Sequence, residues 1–210
     1  MDFIMKILTF SDIYLLKSPV EKLQSIIQSE NIDIVILMGG LFPRIMSEDN
    51  SSNKASIRKN KKQESSNINI LELNWLLIPV LVIPDMEDLK APSLIRQVQG
   101  QEAVWIRYIH NKGTIIDSWF IFSVTEGTES NPEELMKNIE EYSKVAPDRS
   151  ILLYIGDKRI NFPNVYCTLL SSNSKNVEAN SFLVSVDTIK DETVTIIDLE
   201  KKTVNSILVQ

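Results

Sequence analysis

A single histidine, His110, is the most restrictive scarcity in these 210 residues. Chemistry that needs several imidazoles from this one chain is excluded by that count alone. A single cysteine, Cys167, excludes an internal disulfide and points to a reducing compartment. No apolar run approaches the roughly 18 residues needed to cross a bilayer, so no membrane association is expected. The opening Met1-Asp2-Phe3-Ile4-Met5-Lys6 lacks a basic stretch followed by an apolar one. No signal peptide is expected from it, and the cytoplasm is the expected location. Phosphate-binding and nucleophile signatures of the GxxxxGK[ST], GxGxxG, CxxC and GxSxG kinds are all missing. A basic surplus is missing too: 22 Lys and Arg stand against 28 Asp and Glu, a net charge of −6. That balance argues against general nucleic-acid binding. What is present is ordinary for a globular protein, with 43% apolar and 24% charged residues. The length can bury one good core, and residues 1–210 read as one domain.

Lys6-Ile7-Leu8-Thr9-Phe10 is a short apolar run that ends at Ser11-Asp12 and reads as a buried strand. Ser18-Pro19-Val20-Glu21 then carries a helix start, with a capping serine, a first-turn proline and an acid at capping-box spacing. Val20, Leu23, Ile26 and Ile27 follow at helical intervals. Asp33-Ile34-Val35-Ile36-Leu37-Met38 is a second buried strand, stopped by Gly39-Gly40. A β-α-β opening of this kind predicts parallel strands and a right-handed crossover. Residues from 47 to about 67–69 are rich in Ser, Asn and Lys and predict a flexible polar and basic surface loop. Residues 68–77 fit a helix, Pro79–Pro84 brackets a third buried strand, and Pro92–Val98 fits a short helix.

The second half is richer in strand signals. Strands are expected at 103–108, 114–117, 119–124 and 151–155, with a helix from Asn131-Pro132-Glu133-Glu134 that places Leu135, Ile139, Tyr142 and Ala146 on one face. Three more strands are expected near 181–187, 193–199 and 203–209, as antiparallel pairs joined by polar turns such as Lys190-Asp191-Glu192. Trp75, Trp105 and Trp119 are expected in the core, and any one of them left exposed would anchor a partner.

Three strand ends carry a family resemblance. Lys6–Tyr14 resembles the opening strand–Asp–x–His motif of the calcineurin-like metallophosphoesterases. Ile36-Leu37-Met38-Gly39-Gly40-Leu41-Phe42 resembles their second motif, an apolar strand followed by Gly-Asp. Pro79–Asp88 is similar to their third, a Pro-Val strand running into Gly-Asn-His-Asp or -Glu. The order and spacing extend the resemblance over nearly the whole chain. It implies an α/β fold of mixed α+β character: a metallophosphoesterase-like four-layer αββα sandwich, with two mixed β-sheets face to face and helices outside.

The resemblance also implies where a two-metal centre would lie, and there the chain departs from the family. The bridging aspartate falls on Gly40, and the first-motif histidine on Tyr14. The third-motif asparagine and histidine fall on Met86 and Glu87, next to Asp85. The later family histidines fall near Tyr154 and near Leu170-Ser171-Ser172-Asn173. Only Asp12 and Asp88 keep the family's residue type. Cations about 3.5–4 Å apart need a shared carboxylate to offset their repulsion. Glycine offers no donor atom, a phenol with a pKa of roughly 10 is a poor ligand at neutral pH, and a thioether is too soft for Mn or Mg. The expectation is therefore a catalytically inactive phosphoesterase fold, a pseudoenzyme with no catalytic residues and no two-metal cofactor. Its remnant pocket of Asp12, Tyr14, Gly40, Asp85, Met86, Glu87, Asp88 and Tyr154 would serve in binding another protein or subunit.

Two alternatives stay open at this point. Asp12, Glu87 and Asp88 are carboxylates that could hold a single Mg or Mn and support a divergent phosphoesterase. Lys54, Arg58, Lys59, Lys61 and Lys62 form a basic cluster that could contact nucleic acid as an accessory factor. His110, at a strand end, reads as a surface or capping side chain, and Cys167 as a small buried hydrophobe.

Overall fold

The apolar runs at the start of the chain become parallel strands because they are buried on both faces. In a computed structural model describing residues 5–16, 20–42, 70–90, 96, 105–126, 132–145, 147–156, 165–171, 182–186, 188–189 and 192–209, strands β1 (Lys6–Phe10), β2 (Ile34–Met38) and β3 (Val80–Ile83) lie side by side and parallel. Strand β4 (Ile106–Tyr108) extends them in the same direction. On the other side β10 (Thr193–Asp198) pairs antiparallel with β1, and β11 (Thr203–Leu208) antiparallel with β10. The six-stranded order is β11-β10-β1-β2-β3-β4.

The second sheet has the order β5-β6-β7-β8-β9. It comprises β5 (Gly113–Ile116), β6 (Trp119–Thr125), β7 (Ser150–Ile155), β8 (Cys167–Ser171) and β9 (Phe182–Val186). Asp117 and Ser118 both take positive φ, as a two-residue hairpin between β5 and β6 requires.

Alternation along the strands sorts their side chains into three apolar layers. Leu8 and Phe10 of β1, with Val35 and Leu37 of β2, meet Leu23 and Ile27 of helix α1 (Val20–Glu30). Ile7, Ile34, Ile36, Leu81 and Ile83 face the other way and meet Ile121, Ile151, Leu153, Cys167 and Leu169 of the second sheet. The outer face of that sheet, Phe122, Val124, Leu152, Tyr154 and Leu170, packs with Ile139 of helix α2 (Pro132–Val145). The α/β architecture of two mixed sheets with helices outside is thus the one observed.

Several local expectations need correction. Strand β9 does not pair with β10; it joins the second sheet parallel to β8. That sheet is parallel from β6 through β9, with only β5 antiparallel. The reason is that a strand's own residues encode its extended shape and its burial, not its neighbour. Strand β4 begins at Ile106, three residues later than its apolar run. Residues 70–76 wind as a 3-10 helix, Ile70–Leu76. Its period of three puts Ile70, Leu73 and Leu76 on the buried side. Trp75 consequently points outward and is 72% exposed. Trp119 is buried against the edge of Tyr166 and Trp105 is half-buried. The expected helix at 92–98 lies outside the described residues, apart from Arg96.

Candidate functional site

Parallel pairing of β1, β2 and β3 brings their carboxyl-terminal ends together, because Phe10 is in register with Leu37 and Met38 with Ile83. Backbone bonds continue past the strands. The Gly39 N–H donates to the Ile83 carbonyl at 2.8 Å, and the Asp12 N–H to the Gly39 carbonyl at 3.2 Å. Two sharp reversals follow. Gly39 and Gly40 have φ of +77° and +62°, and Asp12 itself sits at +57°. Such values suit glycine and are tolerated by Asp, whose short polar side chain relieves the left-handed penalty.

Gly40 lies directly against Asp12. A Cβ added at position 40 would fall 2.5 Å from the Asp12 Cα and 2.7 Å from its backbone nitrogen, with a side-chain oxygen of Asp12 closer still. Gly39 is also tight, since its Cβ would approach Asp85 to 3.0 Å. The space where a second-motif side chain would start is therefore already filled by Asp12.

Asp85 and Asp88 face one another across one turn. The Asp88 N–H donates to Asp85 Oδ1 at 2.8 Å, and the Asp85 N–H returns to Asp88 Oδ2 at 3.0 Å. The same carboxylates reach the β2 loop. Gly40 N–H donates to Asp85 Oδ2 at 3.2 Å; Leu41 and Phe42 donate to Asp88 Oδ1 at 2.8 and 3.2 Å. Asp88 is only 3% exposed. Burial first, and the Asp85 carboxylate second, push its pKa up to about 7, while the three backbone N–H bonds oppose the rise. Tyr108 is pushed up to about 12, by burial and then by Asp88.

The other site residues scatter. Glu87 is exposed and pairs with Lys90 at 2.6 Å. Met86 is exposed, and Tyr14 is half-buried in the 3-10 turn Ile13–Leu15 that follows Asp12. Tyr154 is buried on the outer face of the second sheet, below α2, so its side chain does not line a pocket between the sheets. Its hydroxyl donates to Glu126 Oε2 at 3.3 Å. A Cβ at position 156 would meet side chains rather than backbone, lying 2.6 Å from that hydroxyl and from Glu126 Oε2. The basic cluster Lys54, Arg58, Lys59, Lys61 and Lys62, with the whole 47–67 loop, lies outside the described residues. His110 is half-buried with its ring 6.4 Å from that of Tyr108. Cys167 is buried and its thiol is pushed up to about 12, chiefly by burial, which keeps it unreactive.

Asp12, Gly40, Asp85 and Asp88 are thus brought together, while Met86 and Glu87 of the same turn are exposed and Tyr154 packs on the outer face of the second sheet. The reciprocal Asp85–Asp88 bracing was available in the sequence as an Asp-x-x-Asp spacing after Pro84, the geometry of a capping box. Tyr108 and Glu126 carry no local signal and come into play only through sheet pairing.

No family model matches the chain, and no curated protein matches it by sequence. Likeness appears at the level of fold. One solved crystal structure is similar over 99% of this chain and 100% of its own, at 16% identity and a TM-score of 0.66. TT1561 of Thermus thermophilus is similar over 99% and 100%, at 15% identity and a TM-score of 0.64. A structure described as a novel archaeal phosphodiesterase aligns over 97% and 99% at 16% identity, with a TM-score of 0.46 that is too loose to bear on this chain. At such identities the two closer likenesses speak for the architecture, an α/β fold of two mixed sheets spanning the chain.

Proposed function

We propose that this chain is a metallophosphoesterase-like protein without a two-metal centre, working as an accessory or scaffold subunit that binds another protein. The observation carrying this reading is the packing at Gly40. A bridging carboxylate must begin at a Cβ there, and that volume holds the backbone of Asp12. The donor set argues the same way. Both Asp88 oxygens accept backbone N–H bonds, Asp85 braces Gly40, and Glu87 turns to Lys90. Among the described residues no group of three or more His, Cys, Asp or Glu side chains is placed to hold a metal ion. These residues do not fit paired cations. Protein binding is supported by Trp75 and Leu77, large apolar side chains exposed two residues apart.

The test is Mn binding together with hydrolysis of a generic aryl phosphodiester. The purified chain should retain no Mn after gel filtration, show no thermal shift with Mn, and hydrolyse no faster than Asp12→Ala. Stoichiometric Mn with hydrolysis that vanishes in Asp12→Ala would overturn the reading. In a pull-down from the native cell, a partner should be enriched on the parent chain and depleted on Trp75→Ala.

A further inference from the structure

Among the described residues, no strand pairs with the outer edge of β11. Its register shows which groups that edge presents. The Val209 N–H donates to the Glu192 carbonyl at 2.7 Å, and Thr193 lies opposite Leu208. Antiparallel strands exchange bonds at alternate positions. Thr203, Asn205 and Ile207 therefore turn their backbone groups inward to β10, while Val204, Ser206 and Leu208 turn theirs outward. The side chains of those three share one face as well. Val204 sits opposite Ile197, whose side chain belongs to the layer between the sheets. The second sheet does not cover this margin, and Val204 and Leu208 are left 43% and 46% exposed. Natural edges are commonly defended by lysine, proline or a bulge. The six residues TVNSIL contain no proline and no charge.

We propose that β11 is the interface of a two-fold homodimer, in which the β11 strands of two copies pair antiparallel about Ser206. A two-fold axis perpendicular to a sheet reverses a strand while keeping its faces, so an edge can pair with itself only where residue numbers of equal parity meet. With the axis at Ser206, all three outward positions find outward partners. Ser206 meets Ser206 of the second copy, and Val204 meets Leu208 of the second copy at both ends. Each such pair exchanges two backbone hydrogen bonds. The same register covers the exposed apolar side chains with one another, as cross-strand pairs do within a sheet. Each copy carries a net charge of −6, which opposes association elsewhere on the surface, but this strand has no acidic side chain. The result is one continuous sheet running through both copies. A single strand pair is small beside the roughly 800 Å² per partner of a standard interface, so the dimer is concentration-dependent.

The test is sedimentation velocity on the full chain over a concentration series. The parent should approach twice its 23.9 kDa mass. Ser206→Pro removes an N–H that points away from β10, so the fold should persist by circular dichroism while the mass returns to that of one chain. Val204→Lys with Leu208→Lys should do the same. Ser206→Cys sharpens the register, because hydrogen-bonded partners have Cα atoms about 5.5 Å apart, within disulfide reach. Mild oxidation should cross-link Ser206→Cys and leave Asn205→Cys uncross-linked. A parent that stays monomeric, or a dimer that survives both the proline and the lysine variants, overturns the proposal. It stands apart from the metal-site reading, since neither result bears on Mn binding.

Discussion

The strand ends of the two sheets hold their polar groups in different ways. In the first sheet, two carboxylates gather five backbone N–H groups from Gly40, Leu41, Phe42, Asp85 and Asp88. In the second, Tyr154 meets Glu126 side chain to side chain at 3.3 Å, and the Glu126 N–H extends the ladder to the Ile155 carbonyl. The first arrangement fixes the path of two loops at once, because each donor belongs to the main chain. The second joins two side chains, and beside it a single main-chain donor, the Thr125 N–H, is held by Asn111 Oδ1 at 2.8 Å. The carboxylates that resemble metal ligands are therefore struts of the first sheet, and their removal should cost more than loss of the Tyr154 hydroxyl in the second.

Asp88→Ala is the strongest break of that contrast. It leaves the N–H groups of Leu41, Phe42 and Asp85 without their acceptor. Unmet buried donors cost about 1–3 kcal/mol each where water cannot replace the partner. We expect a loss of about 4 kcal/mol in denaturant unfolding, with Asp88→Asn intermediate because its amide oxygen still accepts from Leu41. A loss below about 1 kcal/mol would mean that the loops hold themselves.

Gly40→Asp comes next. The substitution combines a positive φ of +62° with overlap against the backbone of Asp12. Left-handed strain and overpacking together predict about 3 kcal/mol of destabilisation. The variant should also fail to gain Mn binding, since its carboxylate cannot enter without displacing Asp12. A stable variant that binds Mn would show that the first sheet keeps a latent metal site and would remove the contrast.

How much of this was legible in the sequence follows from which interactions are local. Strands β1, β2 and β3 were readable because burial on both faces leaves a continuous apolar run, and the start of α2 because Asn131-Pro132 opens a helix in a recognised way. The close approach at Gly40 was readable only as a missing carboxylate; that Asp12 fills the volume depends on two reversals meeting in space. Trp75 was misplaced because a period of 3.6 and a period of three diverge within two turns, and seven residues carry too little pattern to separate them. The placement of β9 beside β8 rather than β10 was not readable, since strand partners are chosen by residues distant in the sequence.

Titration separates the two regions further. The raised value near 7 for Asp88, against an ordinary 3.8, means that the folded chain holds a proton which the unfolded chain releases. Stability from this group is full below the unfolded value and falls as pH rises through the folded one. The difference in Tm between the parent and Asp88→Asn should therefore shift against the parent from about pH 4 to pH 7 and level off above it. A difference that moves the opposite way would mean that the three N–H bonds outweigh burial, so that the carboxylate is ionised in the fold.

The smallest effect belongs to the second sheet. Tyr154→Phe removes one hydroxyl whose bond to Glu126 is long, at 3.3 Å, and leaves the ring packed with Leu152 and Ile139. A neutral donor meeting a carboxylate at that distance contributes about 1 kcal/mol or less. We expect a change in Tm of about 2–4 °C or less for a chain of this length. A loss as large as that of Asp88→Ala would place a second polar strut at the end of β7, and the contrast between the sheets would then be one of residue type rather than of mechanism.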